Sequence, residues 1–292
     1  MLIAVGLARN CAPVIEGNVR NIYSILANIA PGNFLFLIYE NDSRDETSQI
    51  LLDLQSSLHG LKVITETGVD RLYPERYRRL ALCRNRLLQE VFQTIDPSTQ
   101  GHLMMVDLDD RIGASLQEDQ VKLALGTMDQ HGLDGVFPVS RPNYYDIFAL
   151  RAPGWCESDC LELFNRDRSR YGEMAAWFLR VTSKQKSVDE FPRGQLIPVE
   201  SAFGGVGIYN LQAIRHSKYA VSSNHEQTVC EHVVFNRGLG ELAILSDFVV
   251  EAPFEHMTWQ LESNRKILLK RLGCFIADIR LMVQSLFQGQ PR

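Results

Sequence analysis

The feature that most constrains the fold is a regular alternation of apolar runs and amphipathic stretches along the first half of the chain. The apolar runs are residues 2–7, 34–39, 61–64 and 102–110, the last of which ends in acidic residues, and the stretches with helical spacing are 13–29, 48–58 and 76–92. Runs of four to eight apolar residues are typical of buried strands, and apolar residues three or four apart are typical of helices packed on one face. The alternation therefore predicts an α/β fold with a mostly parallel sheet flanked by helices.

The second half of the chain is less regular. Further strands are predicted at residues 135–140, 144–150, 197–209 and 242–250. The charged, turn-rich stretch 151–195 is a candidate insertion on the acceptor side, and residues 264–287 carry apolar residues at helical spacing. We expect one domain over residues 1–260, followed by an amphipathic helix within 261–292.

Composition excludes several classes of protein. A chain of 292 residues with 45% hydrophobic and 22% charged residues matches an ordinary globular protein with a large core. The formal net charge of −5 does not favour a nucleic-acid partner. Six scattered cysteines without a CxxC pair indicate reduced thiols rather than a zinc site, and the lack of a signal-peptide or membrane-spanning pattern predicts a cytoplasmic protein.

The most informative motif is Asp107-Leu108-Asp109, directly after four apolar residues. In an extended segment alternate side chains share a face, so the two carboxylates can converge on one point. Paired carboxylates bind Mg²⁺ or Mn²⁺ and leave positions open for phosphate oxygens. A strand end capped by solvated acids explains the triplet equally well. The position favours a site, because ligands of open α/β sheets collect at the carboxyl ends of strands.

Two other segments carry polar residues with a functional and a structural interpretation. The turn 40–43 follows the second apolar run and contains Asp42, which can contact a base or ribose, while the same region can cap a helix. Asp146 and Arg151 lie in the aromatic and apolar segment 144–151, where Asp146 can bind sugar hydroxyls while Tyr144 or Tyr145 stacks on a sugar face. Strand packing explains those aromatics equally, although a carboxylate among apolar residues needs a partner.

Four elements in order resemble the GT-A fold glycosyltransferases: Ala8-Arg9-Asn10 after the first strand, the turn 40–43 with 45–47, Arg84-Asn85 on a helix, and the strand end 106–109. The segment 144–151 is similar to one in the capsule-associated (fungal-type) mannosyltransferases and their bacterial relatives. The resemblance covers roughly residues 1–260. It implies a nucleotide-binding, Rossmann-type sheet and a nucleoside-diphosphate sugar as donor.

The resemblance also assigns roles to individual residues. It implies that the donor or the substrate is bound by Arg9, Asp42, Arg84, Asp146, Arg151, Gly204 and Gly205. The cation, Mn²⁺ or Mg²⁺, would be held by Asp107, Asp109 and His256, with His225 as a weaker alternative to the histidine. A glycine-kinked strand is the competing interpretation of residues 204–205.

The catalytic base is less clearly placed. Glu231-His232 stands where the family has an acidic pair whose second acid serves as base in inverting members. Glu231 can serve, His232 can substitute, or the reaction can retain configuration and need no such base.

These residues predict a metal-dependent glycosyltransferase that transfers a hexose, with mannose as one candidate, to a saccharide or lipid-linked acceptor. The alternatives are a sugar-phosphate nucleotidyltransferase and a non-catalytic relative that binds a nucleotide or glycan. A phosphatase fits less well, because phosphatases of the Asp-x-Asp type carry this pair after the first strand, whereas here it begins at residue 107. The basic amphipathic stretch 264–287 can pack on the domain, join two copies of the chain, or contact a membrane surface.

Overall fold

The computed structural model describes residues 1–220, 229–253 and 279. Eight strands form one sheet in the order β3-β2-β1-β4-β7-β5-β8-β6. The strands are β1 (Leu2–Ala8), β2 (Phe34–Asn41), β3 (Leu61–Glu66), β4 (His102–Asp107), β5 (Gly135–Arg141), β6 (Leu196–Pro198), β7 (Val206–Asn210) and β8 (Leu242–Glu251). The helices are α1 (Ala12–Ile29), α2 (Thr47–Ser57), α3 (Val69–Leu72), α4 (Arg76–Thr94), α5 (Ile112–Ser115), α6 (Glu118–His131), α7 (Cys160–Tyr171), α8 (Glu173–Arg180) and α9 (Glu231–Asn236).

The sheet is mostly parallel, which confirms the predicted α/β class. Strands β1 to β4 run in one direction, and β5 pairs in parallel with β8. Strand β7 runs antiparallel between β4 and β5, and β6 is antiparallel to β8. The antiparallel β7 matters for the site, because its first residues lie beside the last residues of β4.

The hydrophobic core has one part on each face of the sheet. Alternate residues of β1 point to opposite faces, so Ile3 and Val5 belong to one cluster and Leu2 and Ala4 to the other. Helices α1, α2 and α6 cover the second face, whereas α4, α7 and α9 contribute to the first. The segment 151–195 takes part in the first cluster through α7, so it is packed onto the domain rather than detached from it.

The prediction of a strand at residues 144–150 is wrong. This segment is an irregular loop, although most of it is buried. The backbone N–H of Tyr144 donates to Lys186 O and that of Tyr145 donates to the Ser140 hydroxyl, so these polar groups are satisfied without a strand neighbour. The apolar run is explained by burial of its aromatic rings in the core.

One further strand and one helix also differ from the prediction. The run 197–209 is divided between β6 and β7 by a loop, since consecutive residues Gly204 and Gly205 both have positive φ. Helix α6 was not predicted from the sequence, because only three of its residues are buried. Gly132, which ends that helix in a left-handed conformation, is a signal that was available.

Within the described part of the chain, none of the helices is both long and apolar enough to span a membrane. The predicted helix at 264–287 and the candidates His225 and His256 lie outside the described residues, apart from Ile279.

Candidate active site

The carboxyl ends of β1, β2 and β4 meet at one edge of the sheet and bring most of the predicted site residues together. Asp107 is the last residue of β4, and its N–H donates to Gly205 O at 2.9 Å. The loop before the antiparallel β7 therefore lies directly against the end of β4.

Asp107 forms an ion pair with Arg84 of helix α4, with 3.1 Å between Oδ1 and Nη2. The other end of the same guanidinium pairs with the carboxylate of Glu231, the first residue of α9. The side chains of Arg84 and Glu231 are only 4% and 3% exposed, whereas that of Asp107 is 30% exposed. Arg84 thus joins a buried carboxylate to one that faces the site.

The pKa of Asp107 is shifted by its burial and by the charges around it. Burial raises the pKa of Asp107 to about 7; Arg84 opposes that shift, and the charges of Asp109, Asp146 and Glu231 add to it. Several carboxylates close to one arginine form a region that attracts a cation.

Asp109 is exposed and lies in a bend rather than in an extension of β4. The prediction that Asp107 and Asp109 share one extended segment is therefore wrong. Asn18 of α1 donates to the backbone oxygens of Leu108 and Asp110, which holds the chain in the bend, and Leu108 is fully buried. The charge of Asp109 nevertheless adds to the rise in the pKa of Asp107, so the two carboxylates lie close enough to interact.

The donor set suits a hard divalent cation. Among the described residues no group of three or more metal-ligating side chains is present. Mg²⁺ and Mn²⁺ sites in α/β enzymes use one or two carboxylates and complete their coordination with water and substrate phosphates. Asp107 and Asp109 could hold such an ion in this way.

Arg9 and Asp42 hold together the loops that follow the first three strands. Arg9 pairs with Asp70 at 2.8 Å, and the Asp42 carboxylate accepts hydrogen bonds from the backbone N–H groups of Gly68 and Asp70. Burial opposes the ionisation of Asp42 and raises its pKa. The hydrogen bonds from the Asn41 amide and from the two backbone N–H groups, together with the charge of Arg9, outweigh burial and lower the pKa. Asp42 thus stays ionised.

Asp70 was not singled out from the sequence. It follows the end of β3 by a few residues, so the rule that placed acids at the ends of neighbouring strands could have identified it.

Asp146 lies on the loop after β5 and accepts a hydrogen bond of 3.0 Å from the N–H of Gly204. Its side chain is half-buried, and its charge acts on Asp107. Gly204 and Gly205 therefore connect Asp146 and Asp107 through one short backbone segment.

Arg151 has a different environment. Its guanidinium pairs with Asp159 at 2.6 Å and donates to the backbone oxygens of Phe148 and Leu150. Its N–H donates to Ser201 O, so its described contacts support the loop that precedes Gly204.

His232 is buried, and its ring is stacked on Phe203 with the ring centres 3.7 Å apart. Burial, helped by the charge of Arg84, lowers the pKa of His232 well below its usual value, so the imidazole is neutral. The ring centres of Phe203 and Tyr219 also lie 5.5 and 5.6 Å from the Arg84 guanidinium carbon. The packing of the Phe203 and Tyr219 rings against Arg84 was not identified from the sequence.

Comparison with known proteins supports the fold. No protein-family model and no curated protein sequence matches the chain. A mannosyltransferase from Pyrobaculum calidifontis, solved with GDP-mannose and Mn²⁺, has a TM-score of 0.50 at 14% identity, over 88% of this chain and 59% of that one. That likeness confirms a GT-A-like fold.

Two other solved structures are similar at lower scores. TarS residues 1–349 from S. aureus with UDP-GlcNAc has a TM-score of 0.49 at 14% identity, covering 90% of this chain and 62% of that one. Glucosyl-3-phosphoglycerate synthase from M. tuberculosis has 0.45 at 15% identity, covering 100% and 82%. This chain thus spans 59% and 62% of the length of the first two of these three structures and 82% of the third.

Proposed function

We propose that this chain is a metal-dependent glycosyltransferase that transfers a hexosyl unit from a nucleoside-diphosphate sugar to a saccharide or lipid-linked acceptor. Mannose is the first donor sugar to test, because the Pyrobaculum calidifontis protein of similar fold binds GDP-mannose with Mn²⁺. The observation that carries the proposal is the acidic end of β4, where Asp107 and Asp109 lie at the edge of a mostly parallel sheet. The relation to the capsule-associated mannosyltransferases stays a prediction.

Each residue of the site has a role in this proposal. Asp107 and Asp109 hold the cation, which when bound neutralises charge on the departing nucleoside diphosphate. The loops held by Arg9 and Asp42 bind the nucleoside. Asp146 accepts hydrogen bonds from sugar hydroxyls, while Gly204 and Gly205 allow the substrate to approach the backbone closely.

The test is donor turnover by the purified protein with Mn²⁺ and with EDTA, using GDP-mannose and UDP-sugars as donors. Asp109→Asn removes one charge at the site, and we expect turnover to fall at least about a hundredfold. Asp119→Asn is the matched control, since Asp119 is an exposed acid on α6. Turnover that is unaffected by EDTA and by Asp109→Asn would disprove the proposal.

The burial of Glu231 and His232 favours a second candidate function. Glu231 is occupied by Arg84, and His232 is stacked inside the core, so neither is well placed to take a proton from an acceptor. A non-catalytic protein that binds a nucleotide or glycan would need no base. Calorimetry that detects nucleoside-diphosphate binding, with no transfer to any acceptor in a panel, would support it.

A further inference from the structure

The ion-paired triad Glu231–Arg84–Asp107 contains more negative charge than its arginine can neutralise. Arg84 carries one positive charge and contacts both carboxylates. Glu231 is the fully buried partner, and Asp107 is the partly exposed one. One carboxylate therefore suffices to neutralise Arg84, and the second is left for another cation.

The surroundings determine which carboxylate is left over. Glu231 is shielded from water, and the rings of Phe203 and Tyr219 lie close to the guanidinium. Electrostatic interactions are stronger where water is excluded, so the Glu231–Arg84 pair holds more firmly than the partly solvated Asp107–Arg84 pair. Asp107 is consequently the partner that can turn to a divalent ion.

We infer that Glu231 is a positioning residue that neutralises Arg84 and thereby leaves Asp107 available to the divalent cation. This inference rests on the proposed function. It gives Glu231 a role in metal affinity instead of proton transfer. Without the Glu231 charge, Arg84 would compete with the cation for Asp107 and would repel it.

The test is the affinity of the metal-free protein for Mn²⁺ alone, with no donor present, measured by calorimetry or by the electron paramagnetic resonance signal of free Mn²⁺. Glu231→Gln keeps the size of the side chain and an oxygen that accepts from Arg84, but it removes the charge. We expect Mn²⁺ binding to weaken about tenfold. A general base would leave this affinity unchanged and affect only transfer.

Arg84→Gln/Glu231→Gln removes both charges of the buried pair and is the matched control. Because the charge of Arg84 no longer competes with the metal, we expect the Mn²⁺ affinity of this variant to lie within about threefold of the wild type. A double-mutant cycle would report this recovery as a coupling energy between the two residues. This variant also serves if Glu231→Gln alone does not fold. A loss of Mn²⁺ affinity greater than about threefold in the double variant would overturn the inference.

The possible results separate the two levels of the argument. A wild-type protein that binds no Mn²⁺ would refute the proposed function, and the inference with it. If the wild-type protein binds Mn²⁺ and Glu231→Gln binds it equally tightly, only the positioning role of Glu231 is refuted.

Discussion

Gly205 is the position where a single methyl group should damage the site most directly. Its φ of +81° lies in the left-handed region, and its carbonyl oxygen accepts the N–H of Asp107. A Cβ at this position would collide with Ile112 Cδ1 and lie 2.8 Å from the hydroxyl of Tyr145. Both neighbours are buried, so neither can move freely.

The expected cost of Gly205→Ala follows from these two effects. The left-handed backbone costs an alanine about 1–2 kcal/mol. Forcing an extra methyl group into a packed core costs about 1–3 kcal/mol. We therefore expect the free energy of unfolding to fall by about 2–5 kcal/mol, together with weaker Mn²⁺ binding, because the end of β4 must shift.

Gly204→Ala is the matched control. Gly204 has a similar φ of +64°, but the nearest atom to its Cβ would be Pro138 O at 3.3 Å, a tight contact without a collision. Its cost should be the backbone part alone, about 1–2 kcal/mol. A second control is Gly17→Ala on the exposed side of α1, where no atom lies within 4 Å and the helix should gain about 0.5–1 kcal/mol.

The assay is urea unfolding followed by circular dichroism, with the slope m compared among the variants. The reasoning requires Gly205→Ala to be less stable than Gly204→Ala by at least about 1 kcal/mol. Equal stabilities would show that the packing around Gly205 can accept a methyl group and that the loop does not hold Asp107.

Three further predictions follow from other residues. His232 is neutral in the folded protein and takes up a proton on unfolding below about pH 6.5, so stability should fall below that pH by up to about 1.4 kcal/mol per pH unit, and urea melts of His232→Gln should show a flatter pH dependence. Asp146→Asn keeps an oxygen for the Gly204 N–H but removes the charge, so turnover should fall about tenfold, and unchanged turnover would exclude a role in the reaction. The sulfurs of Cys156 and Cys160 lie 3.3 Å apart, so mild treatment with a diazene oxidant should convert these two thiols to a disulfide, a mass loss that Cys160→Ser should abolish.

Local patterns were sufficient to predict the sheet and the position of the acidic motif. The apolar runs that became β1, β2 and β4 are largely buried on both faces, and a continuous apolar run is typical of a strand buried in this way. Strand β3 lies at the edge of the sheet and is only partly buried. The segment 144–150 has the same composition but satisfies its backbone groups through a loop, which composition cannot distinguish from a strand.

The contacts within the site could not be predicted in the same way. Arg84 and Glu231 are 147 positions apart, and their pairing depends on how α4 and α9 pack. The bend at Asp109 depends on Asn18, 90 positions from Leu108. A pattern within one window carries no information about such partners, so the sequence could single out candidate site residues but not the residues that they contact.

The antiparallel strand β7 has a consequence for how the protein can vary. Five paired positions, from His102 with Asn210 to Val206 with Val106, fix its register against β4. The long chain that leaves β4 and returns as β7 contains Asp109 and strand β5, and its return point stays within one hydrogen bond of Asp107 as long as those paired positions persist. Changes of length confined to exposed turns of that chain should therefore leave both the register of β7 and the hydrogen bond between Asp107 and Gly205 in place.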